Sequence, residues 1–531
     1  MSETIVAPPF SMRKIGIALC LMPVMLAMPS ATLAQNAKFT ANAERGDIPV
    51  FVEKYDDGEF CADGSGAQPC AIAPVDVPEF DASFVYRFLA YHAQRPFDRF
   101  SWQAFTALMA PRDAVHDAVH DAAHDAARDA DLDIPDSKAA WQDFPTRRDL
   151  FSEVAFPNPS CADDLPDGSL LLASYVQSTG DILIDQAGNF VLYETRINQV
   201  AADYIRENGL DQKSGRLAFA NGQNPISFPV GHMTPPITAT ATTDSTSSGS
   251  SGDTRNAVRN GASGGDSPRI PPSAPGVMGA QLLKFAWRIL PGNDGTKTLV
   301  DHGYYTRPAR ISLGPSQTVD GRAKCLDVTV GLVGLHLVQR VQSGNGDRWI
   351  WSSFEHIDNV PLASNARRPN SIITDTPFAN GCLAPTDIDR PYAFYGGHGV
   401  GGTAANNPVS GDVKWADSAP YARRLSGEPV GGSDIVRCWR LFSGTAESNF
   451  IWQRKLAGTV WQNYMLLGTQ WIGNPGGATF GVGEVPRYLT NSALESFMQH
   501  QADATCLGCH SRATTDAGQS ANFTFLLDPS P

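Results

Sequence analysis

Residues 326–341 read LDVTVGLVGLHLVQRV and residues 348–357 read RWIWSSFEHI. Both runs have strand length and are dense in β-branched and aromatic side chains, so both are expected as strands of a buried sheet. In the second run a period of two puts Trp349, Trp351 and Ser353 on one face, and Phe354 and His356 on the other. That strand can line a pocket or simply pack in a core. Working outward, Gln281–Leu290, Tyr304–Leu313 and Ser169–Val176 read the same way. Asp181–Arg196 (DILIDQAGNFVLYETR) reads as a hairpin about Gln186-Ala187-Gly188-Asn189. Residues 166–360 are therefore expected as a β-rich core.

The flanks differ. Residues 35–165 form a helical and irregular N-terminal region, in which 83–110 carry apolar residues at helical spacing broken at Pro96, predicting two helices. Residues 361–435 are rich in Pro, Gly and Asn and are expected as long loops over the core. In 436–531, Trp439–Phe442, Asn449–Arg454 and Val460–Trp471 read as further strands. Arg487–Gln501 reads as a helix capped by Asn491 or Ser492, with Glu495 in its first turn.

Two segments are compositionally biased. Residues 113–133 hold the four-residue repeat DAVHDAVHDAAHDAARDAD. A helix would bring His116, His120 and His124 close to one face, a spacing that can hold a divalent metal, but a solvated surface insertion explains the tract as well. Residues 237–276 are dominated by Thr, Ser, Gly, Asn and Pro and cannot bury enough surface to order themselves, so a disordered insertion is expected.

The chain has 531 residues, 42% of them hydrophobic and 18% charged, enough apolar material for a sizeable core. Its formal net charge of −14 argues against nucleic acid or an anionic membrane as partner. Residues 1–34 read as a secretory signal: Met12-Arg13-Lys14 is basic, Ile15–Met28 is apolar, and Thr32-Leu33-Ala34 precedes a cleavage site, with Met12 as an alternative start. A periplasmic location without a transmembrane anchor in the mature chain is expected. Export makes disulfides possible among Cys61, Cys70, Cys161, Cys325, Cys382 and Cys438. Cys61 and Cys70 can close a short loop, and pairings among the other four cannot be read from the sequence.

Cys506-Leu507-Gly508-Cys509-His510 has the CxxCH spacing of covalent haem attachment. Two thiols three residues apart reach both vinyl groups, and the adjoining imidazole becomes the proximal iron ligand. A thioredoxin-like CxxC pair would open a helix in a βαβ unit, and no such unit is visible. No Met follows Met498, so a distal ligand would come from upstream. His336 and His356 are the candidates as distal ligand or pocket residue, ahead of His302, Met465 and Met498, and a five-coordinate iron is the other possibility. Gly397–Gly402 matches GxGxxG without a strand and helix around it. Gly261–Gly265 matches a nucleophile elbow but lies in the Ser/Gly-rich insertion.

On this motif the chain resembles c-type cytochromes. FSWQAFTALMAP, LIDQAGNFVLYETRINQ, LLKFAWRIL, VGLVGLHLVQR, WIWSSFEHIDNVP, YMLLGTQW, LTNSALESFMQ and FTFLL, spread over residues 100–527, are similar to large single-haem bacterial periplasmic proteins described only as cytochrome c family. The resemblance implies one haem c on Cys506 and Cys509 with His510 on the iron, and supplies no substrate. The expected fold class is α+β, a largely β core with N-terminal helices and a short C-terminal helical haem-attachment segment. The expected function is electron transfer with an unidentified redox partner protein, in an oxidoreductase system. The alternatives are a haem enzyme with an open iron acting on peroxide or O₂, and an exported haem-containing binding or sensor protein.

Overall fold

The computed structural model describes residues 74–75, 90–110, 138–233, 276–291, 303–343, 346–369, 378–398, 401–471, 486–501 and 504–528. The expected export signal and Cys61–Cys70 loop, the His/Asp repeat, His302 and all but the end of the expected 237–276 insertion lie outside these residues.

The organising strand is β7 (Lys324–Ser343), twenty residues long. One edge pairs first with β6 (Thr306–Leu313) and then with β8 (Gly346–His356), while the other edge pairs with β5 (Gln281–Ile289). Beyond β5 lies β2 (Val191–Ile197), beyond β8 lies β13 (Tyr464–Gln470), and β1 (Leu170–Leu172) joins β6 in parallel. The other pairings of this seven-stranded sheet are antiparallel. Three two-stranded pairs stand apart: β3 (His232–Met233) with β4 (Gly276–Val277), β10 (Val413–Trp415) with β11 (Ala422–Arg424), and β9 (Leu362–Arg367) with β12 (Arg437–Trp439). Six helices lie among the described residues, so the mixed α+β class stands.

The pleat gives the sheet two unlike faces. One face, with Leu283, Phe285, Leu335, Leu337 and Phe354, packs on helices α1 (Ala90–Met109) and α5 (Ser443–Lys455). Trp102 of α1 lies edge-on to Phe354 at 5.1 Å and stacks on Trp452 of α5 at 5.8 Å. The opposite face carries the C-terminal residues 486–528, where Leu507, Phe523 and Leu526 pack with Val338, Trp349 and Trp351. Two helices, α3 (Gln199–Glu207) and α4 (Lys213–Asn221), follow β2 on this side, and α2 (Arg147–Leu150) precedes it. The side chain of Arg216 in α4, which has no solvent exposure, ties Glu153 to Asp516 of the C-terminal segment.

Several elements depart from the sequence reading. Residues 90–109 are one helix running through Pro96, not two helices parted there. The proline removes one donor, and the turn is held by contacts to the sheet: Phe97 stacks on Trp471 at 4.0 Å, and Ser101 Oγ lies 2.7 Å from both Ser352 Oγ and Thr469 Oγ1. Asn449–Arg454 is helical, within α5, because Ala446, Asn449, Trp452 and Gln453 recur at helical spacing on its buried side. Residues 486–501 form successive turns rather than a helix. Asn491, Ser492 and Gln499 spend their side chains on partners elsewhere, in competition with a helical ladder. The 185–189 turn exists, closed by Asp185 N to Asn189 O at 2.9 Å, but the arm before it makes only isolated bridges. Helices α3 and α4 were not expected inside 166–360. Disulfides join Cys161 to Cys325 and Cys382 to Cys438.

Trp102 has no solvent exposure and touches Phe105, Phe354 and Trp452. Trp102→Ala is expected to cost about 3–5 kcal/mol of unfolding free energy, read by urea titration, with Trp102→Phe losing less.

Candidate functional site

Cys506–His510 form α6, a single helical turn. So short a helix does not hold itself. Its start is fixed by Gln470 at the end of β13, whose buried Oε1 accepts from Thr505 Oγ1 at 2.9 Å and from Leu507 N at 3.2 Å. Upstream, Asn491 Nδ2 donates to Phe354 O at 2.7 Å. Glu355, fully buried on β8, accepts from Ser492 N at 2.9 Å and from Ser492 Oγ at 2.6 Å through Oε2, while Arg437 Nε lies 3.4 Å from its other oxygen. Burial pushes the Glu355 carboxyl up, and Arg437 and Ser492 only partly offset this.

His510 is set by the turn that follows it. Asn522 and Phe523 both have left-handed backbones, φ +53° and +65°, a conformation that costs a bulky residue such as phenylalanine on the order of 1–3 kcal/mol. The turn brings Phe523 O to 3.0 Å from His510 Nδ1. A carbonyl only accepts, so Nδ1 carries the proton and Nε2 keeps its lone pair. In the same turn Asn522 Oδ1 accepts from Trp349 Nε1 at 3.0 Å and from Arg340 Nη1 at 3.1 Å. The His510 ring lies 4.2 Å from Trp351 and 5.1 Å from Phe525. Burial takes the ring down to about 3, helped by His336 and Lys284 and opposed by the Phe523 bond, so the imidazole is neutral at pH 7. Cys506 and Cys509 are half-buried thiols that take part in no disulfide, and burial raises Cys506 well above its ordinary value.

The two histidines expected as distal ligand or pocket residues part company. His336, 7% exposed, sits on the face that carries Trp351 and the Cys506–His510 turn, with Nε2 3.2 Å from Glu495 Oε2 but not aligned as a hydrogen bond. His356 faces the other way. Its Nε2 donates to Gly303 O at 2.7 Å, its Nδ1 accepts from Asp358 N at 3.1 Å, and Tyr304 stacks on it at 4.1 Å. Both of its ring nitrogens are committed to backbone on the face away from Cys506, so it takes no part in this site.

Sequence reasoning did not single out Glu495 or Lys284 as site residues. Burial raises Glu495, but His336 and Lys284 outweigh it and the net shift is downward; burial also lowers Lys284. The signal for Lys284 was present as one charge inside the apolar run QLLKFAWRIL. Among the described residues no three His, Cys, Asp or Glu side chains gather as a metal cage, and no helix is long and apolar enough to cross a membrane. A pocket of about 390 Å³ between Tyr395, Asn407, Arg424 and Asp434 shares no residue with this site.

No family model, curated protein or solved structure matches this chain.

Glu355 offers a test of the clamp that presents the turn. Its folded value lies above its ordinary 4.5, so the native state holds the proton more readily than the unfolded chain. Its contribution is therefore full below about pH 4.5 and is lost as pH rises through the folded value. Glu355→Gln stays neutral throughout. Wild type is expected to lose stability relative to Glu355→Gln between pH 4.5 and pH 8 in urea titrations, and a pH-independent gap would contradict the shift.

Proposed function

We propose that this chain is an exported c-type haem protein that takes part in one-electron transfer, with thioether bonds at Cys506 and Cys509 and His510 on the iron. The observation that carries the reading is the commitment of His510 Nδ1 to Phe523 O. A metal-ligating imidazole ordinarily donates its second ring N–H in this way, which orients the ring and leaves Nε2 for the metal. The rest of the donor set fits a haem. Two thiols lie three residues apart on one helical turn and stay reduced, while the other four described cysteines are joined in disulfides. Disulfides persist in oxidising compartments, which supports export to the periplasm. When bound, haem c supplies a one-electron Fe(III)/Fe(II) couple.

The chain's own residues do the positioning. Gln470 holds the start of the turn, Phe523 fixes the tautomer and plane of His510, and Trp351 and Phe525 flank the ring. His336 lines the pocket, and a redox partner protein exchanges the electron. A second reading, an enzyme acting on peroxide or O₂ at an open iron position, is favoured by one observation: a histidine and a carboxylate, His336 and Glu495, lie 3.2 Å apart near His510, which a bare electron carrier does not need.

Protein produced with a c-type haem maturation system is expected to retain haem on a denaturing gel, with one haem per chain by pyridine haemochrome assay. Cys506→Ala/Cys509→Ala is expected to lose it, and haem stain surviving in that variant sinks the reading. Carbon monoxide separates the two roles: an unchanged reduced spectrum fits the carrier, and rapid CO binding selects the open iron.

A further inference from the structure

The cavity of about 390 Å³ lies where residues from 403–410, the end of β11 and 430–434 come together. Its volume is in the roughly 300–1,000 Å³ range of small-molecule sites. The walls are tied to one another by the chain itself. The Cys382–Cys438 disulfide joins the segments on which they stand. Asn406, 3% exposed, fastens 403–410 to 430–436: its Nδ2 donates to Val436 O at 3.1 Å, its Oδ1 accepts from Val436 N at 2.7 Å, and its backbone N donates to Asp434 O at 2.9 Å. Its backbone is left-handed, φ +61°, which asparagine tolerates better than most residues and which turns the chain at the wall. Three side chains give the cavity its chemistry. The Arg424 guanidinium makes a hydrogen bond to Ser410 O and, among the described residues, no ion pair. The Asp434 carboxylate accepts from Gly396 N at 3.0 Å, with the exposed His398 ring nitrogen at 3.6 Å. Tyr395 is only 2% exposed, yet among the described residues its hydroxyl makes no hydrogen bond. Burial lifts the Tyr395 phenol and Asp434 adds to the shift, so these two groups act on each other.

We propose that this cavity binds a small zwitterion, a free α-amino acid or a short peptide, with its carboxylate on Arg424 and its ammonium on Asp434 and Tyr395. A cation and a carboxylate that do not pair with each other line one cavity. The guanidinium offers a planar fork that matches a carboxylate. An ammonium has three donors and needs acceptors, which the carboxylate and the phenol oxygen supply. Each wall charge also rejects a wrong ligand: a simple anion meets Asp434, and a simple cation meets Arg424. The site needs neither Cys506 nor His510, so the inference stands apart from the haem reading.

The test titrates the full-length protein in a calorimeter with the common L-amino acids, glycylglycine, acetate, ethylammonium and glucose. At least one amino acid or glycylglycine is expected to bind, one per chain. Its N-acetyl and amide derivatives, each lacking one charge, are expected to bind at least about tenfold more weakly, as are the variants Arg424→Gln and Asp434→Asn. Tyr395→Phe is expected to weaken binding by less than either. The derivatives probe both charges in the unaltered chain, so the answer does not depend on how well a variant folds. Absence of binding by every zwitterion at millimolar concentration overturns the proposal. Binding that Arg424→Gln and Asp434→Asn leave unchanged overturns it by placing the ligand elsewhere. Acetate bound as tightly as the zwitterion, and lost in Arg424→Gln, overturns it in favour of an anion site. Glucose binding lost in Asp434→Asn, with no zwitterion bound, overturns it in favour of a polyol site.

Discussion

The candidate site depends on the buried hydrogen bonds between the β8–β13 side of the sheet and the C-terminal segment. A helix of five residues is far below the length at which helices persist in water. Its shape is borrowed from partners far away in sequence: Glu355 on Ser492, Phe354 O on Asn491, Gln470 on Thr505 and Leu507, and Asn522 on Trp349. Each bond is shielded from water, so leaving one half unmade strands a buried polar group at about 1–3 kcal/mol. The Cys506–His510 turn and the sheet therefore form one cooperative unit.

The two faces of the sheet divide the labour. On the helix side the sheet is apolar, filled by Trp102, Phe105, Phe354 and Trp452 in ring contacts. On the C-terminal side it holds Lys284, His336, Glu355 and a cover rich in Asn, Ser and Gln. Polar groups at such density are tolerable only when nearly all are bonded, and that explains why Asn491, Ser492 and Gln499 are spent on the sheet rather than on a helix of their own.

Much of the architecture was legible. Long apolar runs with β-branched and aromatic residues predicted β5, β6, β7 and β8 within a few residues, and alternation put Trp349, Trp351 and Ser353 on one face. Local pattern failed where tertiary contacts outweighed it. Pro96 sits inside a helix because packing on Trp471 and the Ser101 bonds hold it. NFIWQR, with its short apolar run, reads as a strand, yet lies in α5, where Trp452 meets Trp102. The partners of Cys161 and Cys382, at separations of 164 and 56 residues, had no local signature at all.

By itself the sequence determined the chemistry on offer at Cys506–His510, since the spacing of two thiols and an imidazole is a covalent property of five residues. It also determined that the strands are buried, since hydrophobic content and period are local. Only the tertiary structure decided which histidine belongs to the site. His336 and His356 look alike in sequence, each inside an apolar strand, but pleat and register send them to opposite faces. Only the tertiary structure, too, placed the carbonyl of Phe523 against His510 and set Lys284 directly across from His336. Such facts depend on which distant backbone or side chain fills the space beside a residue, and the pattern of its own neighbours does not encode that.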